Sequence, residues 1–300
     1  MDITFSIAAM HVSLPPRVMP GSVPDGTEVF AVGDIHGRAD LLSACLDEIA
    51  ETEREPGTER VIVLLGDLID RGPDSLRAIR LALDTDALTR ADRFVLLPGN
   101  HELMLLDVLD GVDPALWIGN GGATLMDEIE GEWRRRPWSD SLRLLNDRLP
   151  DGFADMVRAA PSNTRIGDFV FVHAGLDPEV DDAVHLDRRR PVDDRHWAWI
   201  RHEFLTWQGG WDVESETGAR AVGRTIVVHG HTPALRGRLT GNPGELAPLD
   251  GVDTHCAVCL DAGAAYRPQV GWARFWRDGE TTLMQIHATY DAQLDAGWLP

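Results

Sequence analysis

The most conspicuous absence in this 300-residue chain is lysine, since all 28 basic residues are arginine. The 49 acidic residues outnumber them and give a formal net charge of −21. Binding to a nucleic-acid duplex or to an anionic membrane surface requires a surplus of positive charge, so both partners are disfavoured. A chain without lysine also cannot contain a phosphate-binding loop of the G-x-x-x-x-G-K-[ST] type.

Cysteine is scarce as well, with only Cys45, Cys256 and Cys259. Three thiols cannot build a disulfide framework and fit a reducing compartment, so we expect a cytoplasmic protein. Cys256 and Cys259 form a C-x-x-C pair, but no second pair is present to complete a four-cysteine zinc site. We interpret them as two small core residues, with a redox or metal role as the less favoured alternative.

Long apolar runs and a basic leader are also missing. No stretch approaches the ~18 apolar residues of a membrane-spanning helix, and no basic residue of the kind that opens a signal peptide occurs in residues 1–10. Residues 1–26 contain several prolines and predict an irregular N-terminal arm. Residues 27–300 are predicted to form a single domain, because the residues that carry chemistry follow one another without a linker.

From residue 28 onward, short apolar runs alternate with stretches of helical spacing. The pattern predicts strands over 29–32, 61–65 and 94–97, followed by helices over 39–49, 74–83 and 101–109. Such alternation is typical of an α/β fold with βαβ units on a mainly parallel sheet. The tryptophan-containing stretch of about 112–160 has mixed helical spacing and predicts a helical cap insertion.

The second half of the chain returns to strands. They are predicted over 169–172, 225–228, 257–260, 271–276 and 281–286. The last two flank an Asp278-Gly279 turn, which is typical of an antiparallel hairpin. Between the earlier strands, a helix is predicted over 191–205 and a loop over 209–223.

Five polar motifs each follow an apolar run: GDIHG at 33–37, GDLIDRG at 66–72, GNHE at 99–102, HAG at 173–175 and GHT at 230–232. In an open α/β sheet, ligands bind beyond the carboxyl ends of the strands, so we expect these motifs to converge. Their oxygen and nitrogen side chains suit Mn²⁺, Fe or Zn²⁺. Each motif alone would be an ordinary turn or a structural histidine, but five together favour one metal site.

The spacing of these residues supports a site for two metals. Asp34 and His36 are two residues apart, so an extended chain presents both on the same side. Asp67 could bridge two metals ~3.5–4 Å apart with its two carboxylate oxygens. Three further side chains would complete the coordination of the second metal: Asn100, His173 and His231.

In this order the motifs resemble those of the phosphoprotein-phosphatase branch of the calcineurin-like metallophosphoesterases, in particular its compact bacterial serine/threonine phosphatase-like members. The resemblance covers about residues 28–263. It implies a β sandwich of two layers flanked by helices, with a dinuclear metal centre. We expect two divalent metal ions, with Mn²⁺ favoured and Fe, Zn²⁺, Co²⁺ or Ni²⁺ as alternatives.

Carried over position by position, the resemblance implies a complete set of metal ligands. Asp34 and His36 would bind the first metal, Asp67 would bridge, and the second metal would take Asn100, His173 and His231. His229, two residues before His231, is a reserve candidate that we expect to be structural.

The resemblance also implies catalytic residues. His101 matches the family's proton donor and Asp70 its partner, and a nearby carboxylate favours the charged imidazolium that can protonate a leaving alkoxide. Arg71 would bind phosphate oxygens with its planar guanidinium. Arg201 resembles a second phosphate-binding arginine, with an ordinary surface arginine as an equal alternative.

These residues imply direct hydrolysis of phosphate esters by a metal-activated water, with a phosphoprotein or a small phosphate ester as substrate. A serine/threonine protein phosphatase, of broad or dual specificity as a further option, is favoured over a dinucleoside tetraphosphate (Ap4A-type) hydrolase. Those hydrolases typically carry Ala in place of Asp70 and Asp in place of Glu102, although the segment from Trp117 to Trp138 could stack a base. A binding module without catalysis is disfavoured because every ligand position is present. The oligomeric state stays open.

Overall fold

The computed structural model describes residues 9–207, 209–211, 225–233 and 256–291, in which two β-sheets pack face to face. The larger sheet has the order β1-β11-β10-β3-β4-β5, and β2 also pairs with β11. Its strands are β1 (Ala9–Ser13), β2 (Arg17–Val18), β3 (Thr27–Val32), β4 (Glu59–Leu64), β5 (Arg93–Leu96), β10 (Gln269–Asp278) and β11 (Thr281–Asp291). The smaller sheet has the order β6-β7-β8-β9, with β6 (Asn163–Ile166), β7 (Phe169–Val172), β8 (Ile226–His229) and β9 (Ala257–Cys259).

Ten α-helices lie in the described residues. Helix α1 (Ala39–Glu51) lies between β3 and β4 in sequence, and α2 (Ser75–Leu83) and α3 (Thr85–Thr89) lie between β4 and β5. Five follow β5: α4 (Asn100–Leu109), α5 (Ala115–Trp117), α6 (Ala123–Ile129), α7 (Trp138–Arg148) and α8 (Phe153–Ala159). A kinked turn over Ile118–Gly122 joins α5 to α6, and a 3₁₀ turn over Trp133–Arg135 precedes α7. The last two are α9 (Asp182–His185) and α10 (His202–Thr206). None of the described helices is long and apolar enough to cross a membrane.

The two faces of the parallel strands β3 and β4 are both buried, which explains their continuous apolar sequences. Because side chains alternate along a strand, alternate residues of each strand point to opposite faces. One set packs between the two sheets: Val29, Ala31, Val61, Val63, Phe169, Phe171, Ile226 and Val228. The other set packs under the helices: Phe30, Val32, Ile62 and Leu64. Their helical partners are Leu42 and Leu46 of α1 and Ile79 of α2. The expected β sandwich flanked by helices is confirmed.

The predicted strands and helices of residues 29–109 are present with shifts of a few residues at their ends. The larger sheet is mixed, because β10 pairs antiparallel with both β3 and β11. Helices α5–α8 lie within the stretch expected to be a helical insertion. Most of the predicted loop over 209–223 falls outside the described residues. A single domain over 27–300 stays a prediction.

The prediction of an irregular N-terminal arm over 1–26 is wrong for two segments. Residues of β1 pair antiparallel with β11, from Ala9 opposite Asp291 to Ser13 opposite His287. Val18 of β2 pairs with Leu283 of the same strand. Pro15 and Pro16 lie between these strands, and Pro20 and Pro24 follow β2. The partner strand lies more than two hundred residues away in sequence. A local pattern therefore could not show the pairing.

The helix predicted over 191–205 is also wrong for most of its length, since only α10 (His202–Thr206) is helical there. Residues 191–201 follow an irregular path, and three of their apolar side chains are completely buried: Trp197, Ala198 and Ile200. These side chains pack against Val170 and Val227 on the outer face of the smaller sheet. The apolar spacing reflects burial in this core and not a helical repeat.

A buried ion pair joins β3 and β4 at the end of the sheet away from the motifs. Arg60 Nε donates to Glu28 Oε1 at 2.7 Å, and the two residues lie directly opposite each other. The same guanidinium donates to the carbonyl oxygens of Ile49 and Thr52 at 2.9 and 2.8 Å. Arg274 donates to the second oxygen of Glu28 at 2.7 Å. Glu28 and Arg60 are 1% and 2% exposed, so neither charge is accessible to water.

Replacing Arg60 by methionine is therefore expected to lower the free energy of unfolding by ~3–5 kcal/mol, because it removes the donor to Glu28 Oε1 and to the carbonyl oxygens of Ile49 and Thr52 and leaves Arg274 to compensate the buried carboxylate. Urea denaturation followed by circular dichroism measures the change. The matched control is Arg135→Met, which removes an ion pair whose side chains are 81% and 58% exposed, and should change stability little. Equal effects of the two substitutions would contradict a structural role for the buried pair.

Candidate active site

The five motifs converge at one edge of the sandwich. β3, β4 and β5 of the larger sheet and β7 and β8 of the smaller one each end where a motif begins. Six of the predicted site residues are almost completely buried there, with exposed fractions between 0% and 5%: Asp34, His36, Asp67, Asn100, His173 and His231. The structure therefore brings together all six side chains that the sequence predicted as ligands.

Backbone hydrogen bonds connect the motif loops to one another. The amides of Ile35 and His36 both donate to the carbonyl oxygen of Asp67, at 3.0 and 2.8 Å. The amide of His231 donates to Asp34 Oδ1 at 3.0 Å, which joins the two sheets. His36, Asp67 and His231 have φ values of 46°, 51° and 65°, in the left-handed region that residues other than glycine rarely adopt. Such backbone strain persists only where the surrounding structure enforces it, and it concentrates at functional sites.

Glu102 anchors the loop that carries Asp67, a role that the sequence did not reveal. It is completely buried and accepts hydrogen bonds from the backbone amides of Asp67, Leu68 and Gly99, each at 2.8 Å. A glutamate at the third position of helix α4 is a known capping signal, and this signal could have identified the contact to Gly99. A side chain at Gly99 would overlap Asp67 and His173, so glycine is required by close packing.

Backbone carbonyl oxygens set the tautomers of three histidines, because a carbonyl oxygen can only accept a hydrogen bond and the ring nitrogen facing it must therefore carry the hydrogen. His173 Nδ1 lies 2.6 Å from Leu65 O, and His36 Nδ1 lies 3.1 Å from Ile69 O. His231 Nε2 lies 3.2 Å from Trp199 O. The opposite ring nitrogen of each histidine is therefore the one that can offer a lone pair to a metal, as in metal-binding histidines. His231 Nδ1 is buried and has no hydrogen-bond partner within the described part of the chain.

These lone pairs face carboxylate and amide oxygens in two groups. His36 Nε2 lies 3.6 Å from Asp67 Oδ2 and 3.9 Å from Asp34 Oδ2. His173 Nε2 lies 3.5 Å from the other oxygen of Asp67 and 3.3 Å from Asn100 Oδ1. Without a metal, burial lowers the pKa of His173 but Asp67 outweighs it and raises that pKa to about 9, so a proton on the imidazole stabilises the approach to Asp67. A cation with bonds of ~2.0–2.2 Å would place its ligand atoms at about the same separations. The residues present therefore fit two cations, one on each side of Asp67.

His101 and Asp70 lie beside the first group. His101 Nδ1 is 2.7 Å from Asp70 Oδ2, and its Nε2 is buried without a hydrogen-bond partner among the described residues. Ligand atoms of His36, Asp67 and His101 lie within 4.8 Å of one another, as do those of Asp67, His173 and His231. His101 Nε2 is therefore close enough either to bind a metal or to transfer a proton to a bound substrate.

Burial and neighbouring charges perturb the pKa values of the buried carboxyl groups and histidines of the site. Burial alone would raise the pKa of Asp67, but His173, His101 and His36 outweigh it and hold that pKa well below its usual range. Burial lowers the pKa of His36 to about 3, so this imidazole is neutral and able to bind a metal at neutral pH. Burial and the neighbouring Asp261 raise the pKa of Asp34 well above its usual range. Asp261 is a buried carboxylate to which the sequence assigned no role.

The two predicted phosphate-binding arginines lie on different sides of the site. Arg71 Nη1 is 3.4 Å from His36 Nε2, and its Nε donates to Asn120 O at 3.1 Å. Arg201 is exposed and donates to Thr232 Oγ1 at 2.8 Å, next to the GHT motif. His229 packs its ring against Phe204 with centroids 4.8 Å apart, and it belongs to neither group of ligand atoms.

Two tryptophans of the insertion are too buried to stack a nucleotide base. Trp117 is 0% exposed and Trp133 is 9% exposed. Trp138 packs edge to face against Trp133, with ring centroids 6.4 Å apart. This packing matches the expectation that these side chains belong to the core.

Glu102→Gln is expected to lower the free energy of unfolding by ~1–3 kcal/mol, because glutamine cannot accept all three amide hydrogen bonds. The loop carrying Asp67 should shift, and Mn²⁺ affinity should fall ~10–100-fold, the usual effect of changing a residue that supports a ligand. Urea denaturation and calorimetric Mn²⁺ titration measure the two effects. The control is Glu128→Gln, which removes a similar cap on the amides of Ser75 and Leu76 away from the ligand groups. A comparable loss of Mn²⁺ affinity in both variants would contradict the prediction.

Comparison with known proteins agrees with the motif pattern. A family model described as calcineurin-like phosphoesterase matches residues 27–258. Serine/threonine-protein phosphatase 1 of Salmonella typhimurium strain LT2 is 39% identical over 246 residues, which cover 82% of this chain and 91% of that protein. Serine/threonine-protein phosphatase 2 of Escherichia coli strain K12 is 32% identical over 35% of this chain and 43% of that protein.

A symmetrical bis(5'-nucleosyl)-tetraphosphatase of Pseudomonas fluorescens strain SBW25 is 26% identical over 286 residues, which cover 80% of this chain and 94% of that protein. Relatives that act on proteins and relatives that act on nucleotides thus both match most of the chain. With the family model matching well over half of its length, the chain belongs to the calcineurin-like phosphoesterases, a family of metal-dependent hydrolases.

Proposed function

We propose that the protein is a metal-dependent phosphomonoesterase that removes phosphate from serine and threonine residues of phosphoproteins. The observation that carries this proposal is the position of Asp67, whose two oxygens face two separate groups of buried ligand atoms. Asp34 and His36 complete the first group. Asn100, His173 and His231 complete the second.

Mn²⁺ is the proposed metal in both positions, since every ligand atom is oxygen or nitrogen and none is sulfur. Fe, Zn²⁺, Co²⁺ and Ni²⁺ share these preferences and are the alternatives that metal analysis would distinguish. When bound, a pair of such ions lowers the pKa of a water molecule toward neutrality and polarises the phosphate.

His101 is the proposed proton donor to the leaving group. Its Nδ1 is hydrogen-bonded to Asp70 Oδ2, so Nε2 is the nitrogen that faces the site. Burial lowers the pKa of His101, but Asp67 and Asp70 outweigh it and raise that pKa above its ordinary value. The imidazole is therefore charged near neutral pH and can release its proton from Nε2 to an alkoxide oxygen.

Arg71 and Arg201 are the proposed phosphate clamps. Arg71 Nε donates to Asn120 O, and Arg71 Cζ lies 5.9 Å from the ring centroid of Tyr266. These contacts leave Nη1 of Arg71 toward the site. Arg201 donates to the backbone oxygen of His231 at 3.3 Å and so lies beside the second ligand group. Planar guanidinium groups bind phosphate oxygens through paired hydrogen bonds and stabilise the charge of the transition state.

A protein substrate is favoured over a dinucleotide by two features. Asp70 makes the contact to His101 that an alanine could not make. Trp117 and Trp133 of the insertion are buried and offer no exposed ring to a base, and the half-buried Trp138 packs against Trp133. We also propose a cytoplasmic location, because none of the three cysteines is in a disulfide.

The substrate class is tested by measuring hydrolysis by the Mn²⁺-loaded protein on three substrates in parallel: a phosphothreonine peptide, p-nitrophenyl phosphate and diadenosine tetraphosphate. The expected result is turnover that EDTA abolishes, with the highest kcat/KM on the peptide. A higher kcat/KM on the dinucleotide would replace the proposal with a dinucleoside polyphosphate hydrolase. No turnover of any substrate by metal-loaded protein would favour a binding module.

Asp67→Asn should reduce the bound Mn²⁺ from two ions to one or none, because an amide offers one oxygen where the carboxylate offers two. Turnover should fall at least ~100-fold, beyond the usual effect of changing a supporting residue. Equilibrium dialysis with elemental analysis counts the ions. The control is Asp147→Asn on the exposed side of α7, which should leave both quantities unchanged. Two tightly bound ions in Asp67→Asn would contradict the bridging role.

His101→Asn should reduce kcat on the phosphothreonine peptide by ~10²–10⁴-fold, the usual contribution of a general acid. The loss should be smaller on p-nitrophenyl phosphate, whose leaving group needs no proton. Two bound Mn²⁺ ions should remain. Loss of a metal ion would instead make His101 a ligand, which its distance from His36 and Asp67 also permits.

A further inference from the structure

We propose that the turn at residues 117–122 of the insertion positions two groups of the active site, with Trp117 orienting Asp70 and Gly121 orienting Arg71. The inference rests on the proposed phosphatase function, since it assigns how that chemistry is aligned. It makes Trp117 a positioning residue for proton transfer and Gly121 a positioning residue for phosphate binding.

Trp117 contacts Asp70 through a polar atom as well as by packing. Its Nε1 donates to Asp70 Oδ2 at 2.8 Å, and the same oxygen lies 2.7 Å from His101 Nδ1. The second oxygen of Asp70 is buried without a hydrogen-bond partner within the described residues. All three side chains are completely buried, so no water competes for these contacts.

The indole contributes a contact that does not depend on the charge of His101. An indole N–H can only donate, so it fixes which oxygen of Asp70 faces His101 whether or not the imidazole has given up its proton. Without it, the carboxylate would be held by His101 alone and could rotate about its broad terminal torsion. His101 Nε2 would then lose its fixed direction toward the leaving group.

The same turn holds the backbone and side chain of Arg71. The amide of Arg71 donates to Gly121 O at 3.3 Å, and its Nε donates to Asn120 O at 3.1 Å. Asp70 and Arg71 have φ values of 70° and 69°, two successive left-handed residues that need outside support. The turn supplies part of that support.

Gly121 is required at its position for two reasons. Its φ of 117° is unfavourable for any residue with a side chain. A β-carbon there would also lie 2.6 Å from Arg71 Cγ and would displace the guanidinium. The turn is a kink between two helical segments, and Gly121 is its non-helical residue.

These contacts make the effects of two substitutions separable. Trp117→Phe removes the N–H and retains a ring, so it should act through Asp70 and His101 on proton transfer alone. Gly121→Ala should move Arg71, which contacts the phosphate in the bound substrate as well as in the transition state. The first should therefore change kcat for poor leaving groups, and the second should change KM for every substrate.

The test uses the full-length Mn²⁺-loaded protein, with a phosphothreonine peptide and p-nitrophenyl phosphate as substrates and inorganic phosphate as a competitive inhibitor. In Trp117→Phe, kcat on the peptide should fall ~10–100-fold, with little change on p-nitrophenyl phosphate, in KM or in phosphate inhibition. In Gly121→Ala, KM and the phosphate inhibition constant should rise ~10-fold on both substrates. Two Mn²⁺ ions should remain bound in each variant.

Trp133→Phe is the matched control for the loss of an indole N–H. Trp133 belongs to the same insertion and donates its Nε1 to Asp127 Oδ1 at 2.7 Å, away from Asp70. It should leave kcat and KM unchanged. A fall of kcat by the same factor on both substrates in Trp117→Phe, or the same loss in Trp133→Phe, would overturn the positioning role.

Two further measurements keep the inference testable if turnover is weak or absent. In nitrogen-15 NMR spectra of metal-free protein, the His101 Nδ1–H resonance should be sharp and far downfield, and Trp117→Phe should broaden or shift it while Trp133→Phe does not. Calorimetric binding of inorganic phosphate to the Mn²⁺-loaded protein should weaken in Gly121→Ala only. An unchanged His101 resonance in Trp117→Phe would overturn the inference. Absent turnover with the expected resonance and phosphate affinities would reject the proposed function alone.

Discussion

The Asp67 carboxylate is the interaction on which the rest of the structure depends. It is 2% exposed, and burying a carboxylate is unfavourable unless positive charge or hydrogen-bond donors surround it. His173 and His101, whose pKa values are raised because Asp67 outweighs their burial, and the amide of His101, 3.1 Å from Oδ1, supply that surrounding. Glu102 holds the backbone on either side. The position of one carboxylate thus explains the histidines, the buried glutamate and the close-packed glycine around it.

The site is also where the two sheets are joined. Loops from the larger sheet supply Asp34 and Asp67, and loops from the smaller sheet supply His173 and His231. His173 Nδ1 lies 2.6 Å from Leu65 O, and the amide of His231 donates to Asp34. Cations bound between these residues would therefore hold the layers together as well as perform chemistry. Metal binding and the stability of the sandwich are linked for this reason.

The sequence was most informative where local pattern and chemistry coincide. Strands β3, β4 and β7 are continuous apolar runs because both of their faces are buried, and the polar motifs after the strands predicted six side chains that the structure brings together. Contacts between distant segments could not be predicted in this way. The pairing of β1 with β11, the irregular path of residues 191–201 and the hydrogen bond from Trp117 to Asp70 depend on tertiary packing. A tryptophan in a helical pattern indicates core packing and does not reveal which atom its N–H will meet.

The left-handed residues of the site have a consequence for how this protein can change. Five positions around the site adopt positive φ without being glycine: His36, Asp67, Asp70, Arg71 and His231. At each of them glycine would relieve the local strain while abolishing a side chain that the proposed chemistry needs. Relief of backbone strain and retention of activity therefore act in opposite directions at these positions. A variant that drifts toward glycine there would lose an active-site side chain together with its contacts, so relaxing the backbone at these positions is open to this protein only at the expense of its chemistry.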